Sequence, residues 1–181
     1  MVHLLRAERP VTEFIDHPGT ELRLWPWQSW QYGVQGILIW ATTYWTSGSA
    51  FPPPKVQDPW TDPMSWSNDA GATFGNGDGR LLYPPDRDPV AGKPPVLGGP
   101  VDSIRWEMLR DGIQDYEYLY MLRQKVEAAQ SRGDRSATVN AAAALLSVPP
   151  EITSDMTTFT SDPRVLLTQR EKIARTIESL H

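Results

Sequence analysis

The stretch "GILIWATTYW", Gly36 to Trp45, decides how the rest of the chain is read. It is apolar, β-branched and aromatic on both alternating faces. Such a run predicts a strand buried on both sides, as in a parallel sheet. Just before it, "TELRLWPWQSWQYG" predicts a helix with Thr20 as N-cap and Gly33 as its stop. Pro26 should kink that helix or begin a second turn. Upstream, "VTEFI" (Val11–Ile15) alternates enough to predict another strand. The first third therefore reads strand, helix, strand: one βα unit and the strand that follows it. A doubly buried strand needs neighbours on both edges and cover on both faces. The chain offers only two or three other strand candidates, all weak. Two readings follow. One is the C-terminal piece of a larger α/β barrel, an architecture of about 250 residues. The other is a self-contained small α+β domain.

Residues 46–100 form one long irregular segment, punctuated by "TSGS", "PPP", "TDP", "NDAG", "NGDG", "PPDRDP" and "LGGP". A loop of this length in a compact protein is more often functional than idle. Its one strand candidate is "RLLY". From Asp102 the pattern changes to a long amphipathic helix, Asp102 to Gln130, with Leu109, Ile113, Tyr116, Leu119, Leu122 and Val126 as its apolar face. Asp102 or Ser103 can cap it, "SRGD" ends it, and Gly112 in its middle points to close packing. "SATVNAAAALLSV" predicts a second helix stopped by Pro149 and Pro150. "SDPRVLLTQREKIARTIESL" predicts a third, capped by Ser161 or Asp162 with Pro163 at its first position.

With 181 residues the chain is long enough for one domain with a real core. No run approaches the ~18 apolar residues of a membrane helix, and the opening "MVHLLRAERP" has no secretory signal pattern, which leaves the compartment open. The net charge of −5 argues against a general nucleic-acid partner. There is no cysteine, so disulfides and thiolate metal sites are excluded. His3, His17 and His181 are scattered, so no metal site and no cofactor is expected. Eight tryptophans and seventeen prolines are unusual for this length. Indoles around a proline-braced loop fill a core or line a binding surface.

Three stretches, "RLWPWQSWQYGVQGILIWATTYW", "NGDGRLLYP" and "SIRWEMLRDGIQDYEYLYML", occur in this order between Arg23 and Leu122. Together they resemble the C-terminal part of the glycoside hydrolase family 123 catalytic domain, also known as domain of unknown function 4091. The last stretch is the most specific. The resemblance implies the last part of a (β/α)8 TIM barrel acting on β-linked N-acetylgalactosamine. Val11–Ile15 would be the seventh strand, Thr20–Tyr32 the seventh helix, Ile37–Thr43 the eighth strand and Asp102–Gln130 the closing helix. Residues 1–130 would be barrel segment and residues 131–181 a helical C-terminal extension. The family mechanism is substrate-assisted: the sugar's 2-acetamido group attacks the anomeric carbon while an adjacent Asp-Glu pair orients it and protonates the leaving oxygen, an exception to the two-carboxylate scheme. This chain contains no adjacent Asp-Glu pair. On the mapping, that strand lies upstream of Met1. The expectation is an incomplete barrel that supplies part of a carbohydrate subsite, with no catalytic residue of its own and an exposed edge that favours self-association. The alternative is a non-catalytic carbohydrate-binding or interaction module.

"NGDG" fails as a calcium loop: with Gly79 as the invariant glycine, Phe74 and Pro85 occupy ligand positions. It fails as a phosphate loop because no lysine and no helix follow. Two readings remain. One is a type I′ or related turn joining short strands. The other places Asn76, Asp78 and Tyr83 at the rim of a sugar pocket. Trp40, Tyr44 and Trp45 are either barrel packing or, at the C-terminal end of a strand where barrel sites lie, a floor for the sugar. The resemblance implies the latter for Trp40 or Trp45, because related acetamido-directed hydrolases place a last-strand tryptophan beneath the sugar. Trp60 and Trp66 either bound that pocket or form a small loop core. Asp111 and Asp115 share a helix face and can be mistaken for a catalytic pair. The structural reading, ion pairs on a solvated or inter-element face of the helix, is favoured because a barrel's outer helix lies far from its mouth. Arg105 or Asp111 could anchor the long loop.

Overall fold

In a computed structural model of the chain, residues 4–6, 10–86 and 96–180 are described. The elements in chain order are β1 (Leu4–Arg6), α1 (Thr20–Gln31), β2 (Met64–Ser67), β3 (Thr73–Asn76), β4 (Leu82–Tyr83), β5 (Val101–Asp102), α2 (Ile104–Ser131), α3 (Ala137–Ala144), β6 (Thr153–Asp155), β7 (Thr158–Thr160) and α4 (Pro163–Ser179). They divide into two compact units. The first comprises residues 1–11, 20–36 and 108–181; the second comprises residues 12–19 and 37–107.

The first unit holds the main core. Leu24 and Trp27 of α1 pack with Leu119, Leu122 and Val126 of α2, with Val139 and Ala142 of α3, and with Ile152, Phe159, Leu166 and Ile173. The i, i+3, i+4 spacing on α2 puts Leu119, Leu122 and Val126 on one buried face. Ile113, expected on that face, is 51% exposed. At Gly112 an added Cβ would stand 2.5 Å from the Arg23 carbonyl oxygen. That glycine lets the two helix backbones touch.

Gly33, Ser103 and Asp162 act where a stop or cap was expected, whereas Thr20, expected to cap α1, is its first helical residue and its Oγ1 donates to Ser161 O at 3.3 Å. α1 runs through Pro26 and ends at Gly33, with Val34 N–H bonded to Ser29 O at 2.8 Å and Gly33 N–H to Trp30 O at 3.2 Å. Ser103 Oγ accepts from Trp106 N at 3.2 Å at the start of α2. Ser136 caps α3, and Asp162 caps α4 ahead of Pro163. A three-stranded antiparallel sheet, β1-β7-β6, completes this unit. Its hairpin "TSDMTTFT" was not expected from the sequence.

The second unit corrects the strand expectations. Val11–Ile15 and Ile37–Thr43 are not strands; the latter makes one isolated bridge, Thr43 to Arg80. Leu38 is 84% exposed and Trp40 47%. A doubly buried strand exists only where neighbouring strands accept its N–H groups, and among the described residues none flanks this segment. The architecture is mixed helix with small antiparallel sheets. Conversely, the segment read as irregular contains three strands, β2, β3 and β4. β2 pairs with β3, and the expected "RLLY" strand is β4, paired with β5.

Candidate functional site

The site is built on the turn between β3 and β4, in the second unit. Gly75, Gly77 and Gly79 all take positive φ. Asp78 N–H bonds Gly75 O at 3.1 Å, and Arg80 N–H bonds Gly77 O at 3.0 Å. The turn is therefore a run of consecutive bends. At Gly79 (φ +69) an added Cβ would lie 2.6 Å from the Trp40 ring, and at Gly75 (φ +73) 2.6 Å from the Trp66 ring. The indoles lie directly on the turn's backbone. Only glycine combines that conformation with that approach.

Two buried guanidinium groups hold the turn. Arg105, in the first turn of α2 and 5% exposed, donates to the carbonyls of Glu13, Gly77 and Arg80 and to Tyr83 Oη at 3.4 Å. The sequence expectation that Arg105 anchors the loop is met by these bonds. Arg80, fully buried, donates to Pro63 O, to Ser65 Oγ at 2.6 Å and to Gln57 Oε1 at 2.9 Å. Its guanidinium carbon sits 5.3 Å from the Tyr44 ring centroid. Gln57 in turn donates to Asp62 O and Met64 O, each at 2.7 Å. A fixed side-chain scaffold thus replaces the sheet that the sequence led one to expect.

Upon this scaffold Asp78 gathers the aromatics. Its Oδ1 accepts from Trp40 Nε1 at 2.9 Å and its Oδ2 from Trp66 Nε1 at 2.6 Å. Trp40 meets Tyr44 edge to face at a 4.9 Å centroid distance, Trp40 meets Trp66 at 5.4 Å, and Tyr44 stacks on Trp66 at 6.0 Å. Burial pushes the Asp78 carboxyl upward. Its bonds to Glu13, Trp40 and Trp66 and the nearby Arg80 charge outweigh that, so its pKa is lowered. Glu13 lies against it and is opposite in character. Burial first, and then the bond to Asp78, raise Glu13 to about 7, against the pull of the Gly79 N–H and the Arg105 charge.

Of the residues singled out in the sequence, Trp40, Tyr44 and Asp78 are brought together. Asn76 precedes the turn and is engaged with another residue; its Nδ2 donates to Asp16 Oδ1 at 2.9 Å, and its Oδ1 is buried without a donor. Trp45 is engaged elsewhere, donating to Leu82 O at 2.8 Å. Tyr83 is buried, with its ring 4.7 Å from Trp60. Asp78 does not present a free carboxylate to solvent, because both its oxygens hold indoles. Glu13 was missed. Within "VTEFI" it reads as the polar position of a strand, and nothing local signals a partner 65 residues later. Asp111 and Asp115 belong to the first unit. Asp115 is fully engaged by Arg23 and Trp27, the structural role expected of it. Among the described residues no group of three or more His, Asp or Glu side chains is placed to hold a metal.

Residues 5–122 match the family described as glycoside hydrolase 123, catalytic domain. No curated protein matches the chain.

Proposed function

The chain belongs to the glycoside hydrolase 123 family, and on that premise we propose that it carries the C-terminal part of a site for β-linked N-acetylhexosaminides, N-acetylgalactosamine foremost. The observation that carries this reading is the half-exposed Trp40 indole, clamped by Asp78 and backed by Tyr44 and Trp66. A pyranose presents an apolar C–H face that stacks on a fixed indole, and a pre-positioned ring loses little entropy on binding.

The chain's own residues bind and orient; they do not supply the reaction's acid. Glu13 and Asp78 are two carboxyl groups, but they touch each other. A retaining pair stands about 5 Å apart across the bond it cleaves, and an inverting pair further still. The Asp-Glu pair of a substrate-assisted mechanism is absent from this sequence. In this reading the pair comes from the rest of the family's catalytic domain. The 84% exposure of Leu38, an apolar residue next to this group, supports that reading, since further residues of the family's domain would cover it.

The test is binding of N-acetylgalactosamine to the full chain, followed by calorimetry or NMR, beside an assay on a chromogenic β-N-acetylgalactosaminide. We expect saturable binding, lost in Trp40→Ala, and no turnover. Robust turnover would overturn the assignment of the acid to another segment. Binding unaffected by Trp40→Ala would overturn the platform.

A further inference from the structure

Asp78 is the point on which the aromatic group turns, and one side chain faces it without an evident role. Glu13 Oε1 accepts from Gly79 N at 3.4 Å. Its Oε2 is buried and meets no hydrogen-bond donor among the described residues. What lies against it is the Asp78 carboxyl group. An ionised Glu13 would leave an acceptor buried with nothing to accept, beside a second negative charge already committed to two indoles. A single proton removes both faults at once, because a protonated Oε2 becomes a donor and Asp78 becomes its acceptor.

We propose that Glu13 is a positioning residue of the aromatic site: a proton on its Oε2, donated to the Asp78 carboxylate, fixes that carboxylate so that it holds the Trp40 and Trp66 indoles in their present orientation. The electrostatics of the surroundings agree. Burial and the Asp78 contact bring Glu13 to about 7, while Asp78 is held low by the bonds it accepts. The proton therefore resides on Glu13. The other charged and titratable groups around the pair are Arg105, bonded through Nη1 to the Glu13 carbonyl, Arg80, and Tyr44 beneath Arg80. On Glu13's own segment, Asp16 is taken by Asn76 Nδ2, and His17 lies with its ring 6.3 Å from that of Phe14. His17 is the group whose ordinary titration range overlaps, so it needs its own control.

Deprotonation has a defined consequence. Two adjacent carboxylates repel, Asp78 loses the donor on its Glu13 side, and the indole N–H groups lose their fixed acceptor. The platform is ordered at and below neutral pH and loosens above it.

The indole Nε1–H resonances of the full chain report this directly, with Trp40 and Trp66 assigned by Trp40→Phe and Trp66→Phe. We expect both signals to shift together between pH 5 and pH 9 with a midpoint near 7, the value to which Glu13 is raised. Glu13→Gln keeps a donor toward Asp78 and cannot titrate, so the shift should vanish in it and persist in His17→Asn. Flat signals in the wild-type chain overturn the proposal, as does an unchanged midpoint in Glu13→Gln; the wild-type titration carries the test even where a variant folds poorly. A second readout, which rests on the sugar-platform reading, is affinity for N-acetylgalactosamine. It should fall about fivefold from pH 5.5 to pH 8.5, the worth of roughly one net hydrogen bond, and stay constant in Glu13→Gln. Indole titration without sugar binding at any pH supports the positioning role and overturns the platform reading.

Discussion

Asp115 gives the sharpest test of how the family's "RDGIQDYEYL" stretch works. Its carboxylate is 1% exposed. It accepts from Arg23 Nε at 2.7 Å, Arg23 Nη2 at 3.0 Å and Trp27 Nε1 at 3.0 Å, with Arg170 Nη1 at 3.4 Å. Arg23 is 3% exposed, and Asp111 stands 3.8 Å from its Nη1. Asp115→Ala therefore leaves a buried guanidinium with one distant counter-charge and a buried indole N–H with no acceptor. Breaking a buried pair from one side costs about 3–5 kcal/mol. With a urea m-value of roughly 2 kcal/mol/M, the unfolding midpoint should fall by about 2 M. Asp115→Asn should lose nearly as much, because the amide accepts from Trp27 but does not neutralise Arg23. Arg23→Met combined with Asp115→Leu should recover most of the loss, since an apolar pair of similar volume often matches a buried ion pair. Urea unfolding followed by far-UV circular dichroism measures all three. A loss below about 0.5 kcal/mol in Asp115→Ala, or a double variant no better than the single, would refute the argument and reopen a functional role for this face of α2.

Four shorter expectations accompany it. Gly112→Ala gains roughly 1 kcal/mol of helix propensity yet should lower the melting temperature, because its Cβ would sit 2.5 Å from Arg23 O; a higher melting temperature would deny the close helix contact. Gly79→Ala places a Cβ both at φ +69 and against Trp40, so it should cost about 1–3 kcal/mol and alter the near-ultraviolet signal of the indoles. Ser136→Ala removes the α3 cap bond to Val139 N and should cost about 1 kcal/mol, read from thermal melts. Last, the raised Glu13 pKa has a sign. The unfolded chain releases this proton near 4.5 and the folded chain near 7, so the unfolded state binds fewer protons between those values and stability falls as pH rises through them. The full shift would be worth about 3 kcal/mol at 1.36 per unit; discounted for solvent screening of a partly exposed group, about 1–2. Glu13→Gln should therefore gain on the wild type from pH 4.5 to pH 7 and hold a constant difference above it; a difference that shrinks with pH would contradict the assignment.

The helices were legible because their causes are local. Ser103, Ser136 and Asp162 bond N–H groups two or three residues ahead, and the apolar spacing of Leu119, Leu122 and Val126 fixes which face is buried. Close packing at Gly112 and the loop-anchoring role of Arg105 could be anticipated as well. Apart from "RLLY", which holds β4, the strands were not legible. Ile37–Thr43 has every local property of a buried strand, but a strand is a relation between segments, and among the described residues its pairing stops at the single bridge from Thr43 to Arg80. The hairpins β2–β3 and β6–β7 show the opposite case: polar, unpatterned sequences such as "TSDMTTFT" become strands because a partner is at hand.

The candidate site divides along the same line. The amino-acid sequence alone determined the family, the density of indoles, the glycine-rich turn and the absence of an adjacent Asp-Glu pair. Each is a matter of residue identity and order. The tertiary structure decided which aromatics meet, that Asp78 faces indoles, and that Glu13 lies against Asp78 across 65 positions of chain. Those are consequences of burial and of where Arg80 and Arg105 find carbonyl acceptors. No local preference encodes them, because the free energy of a buried hydrogen bond depends on what the rest of the chain brings to it.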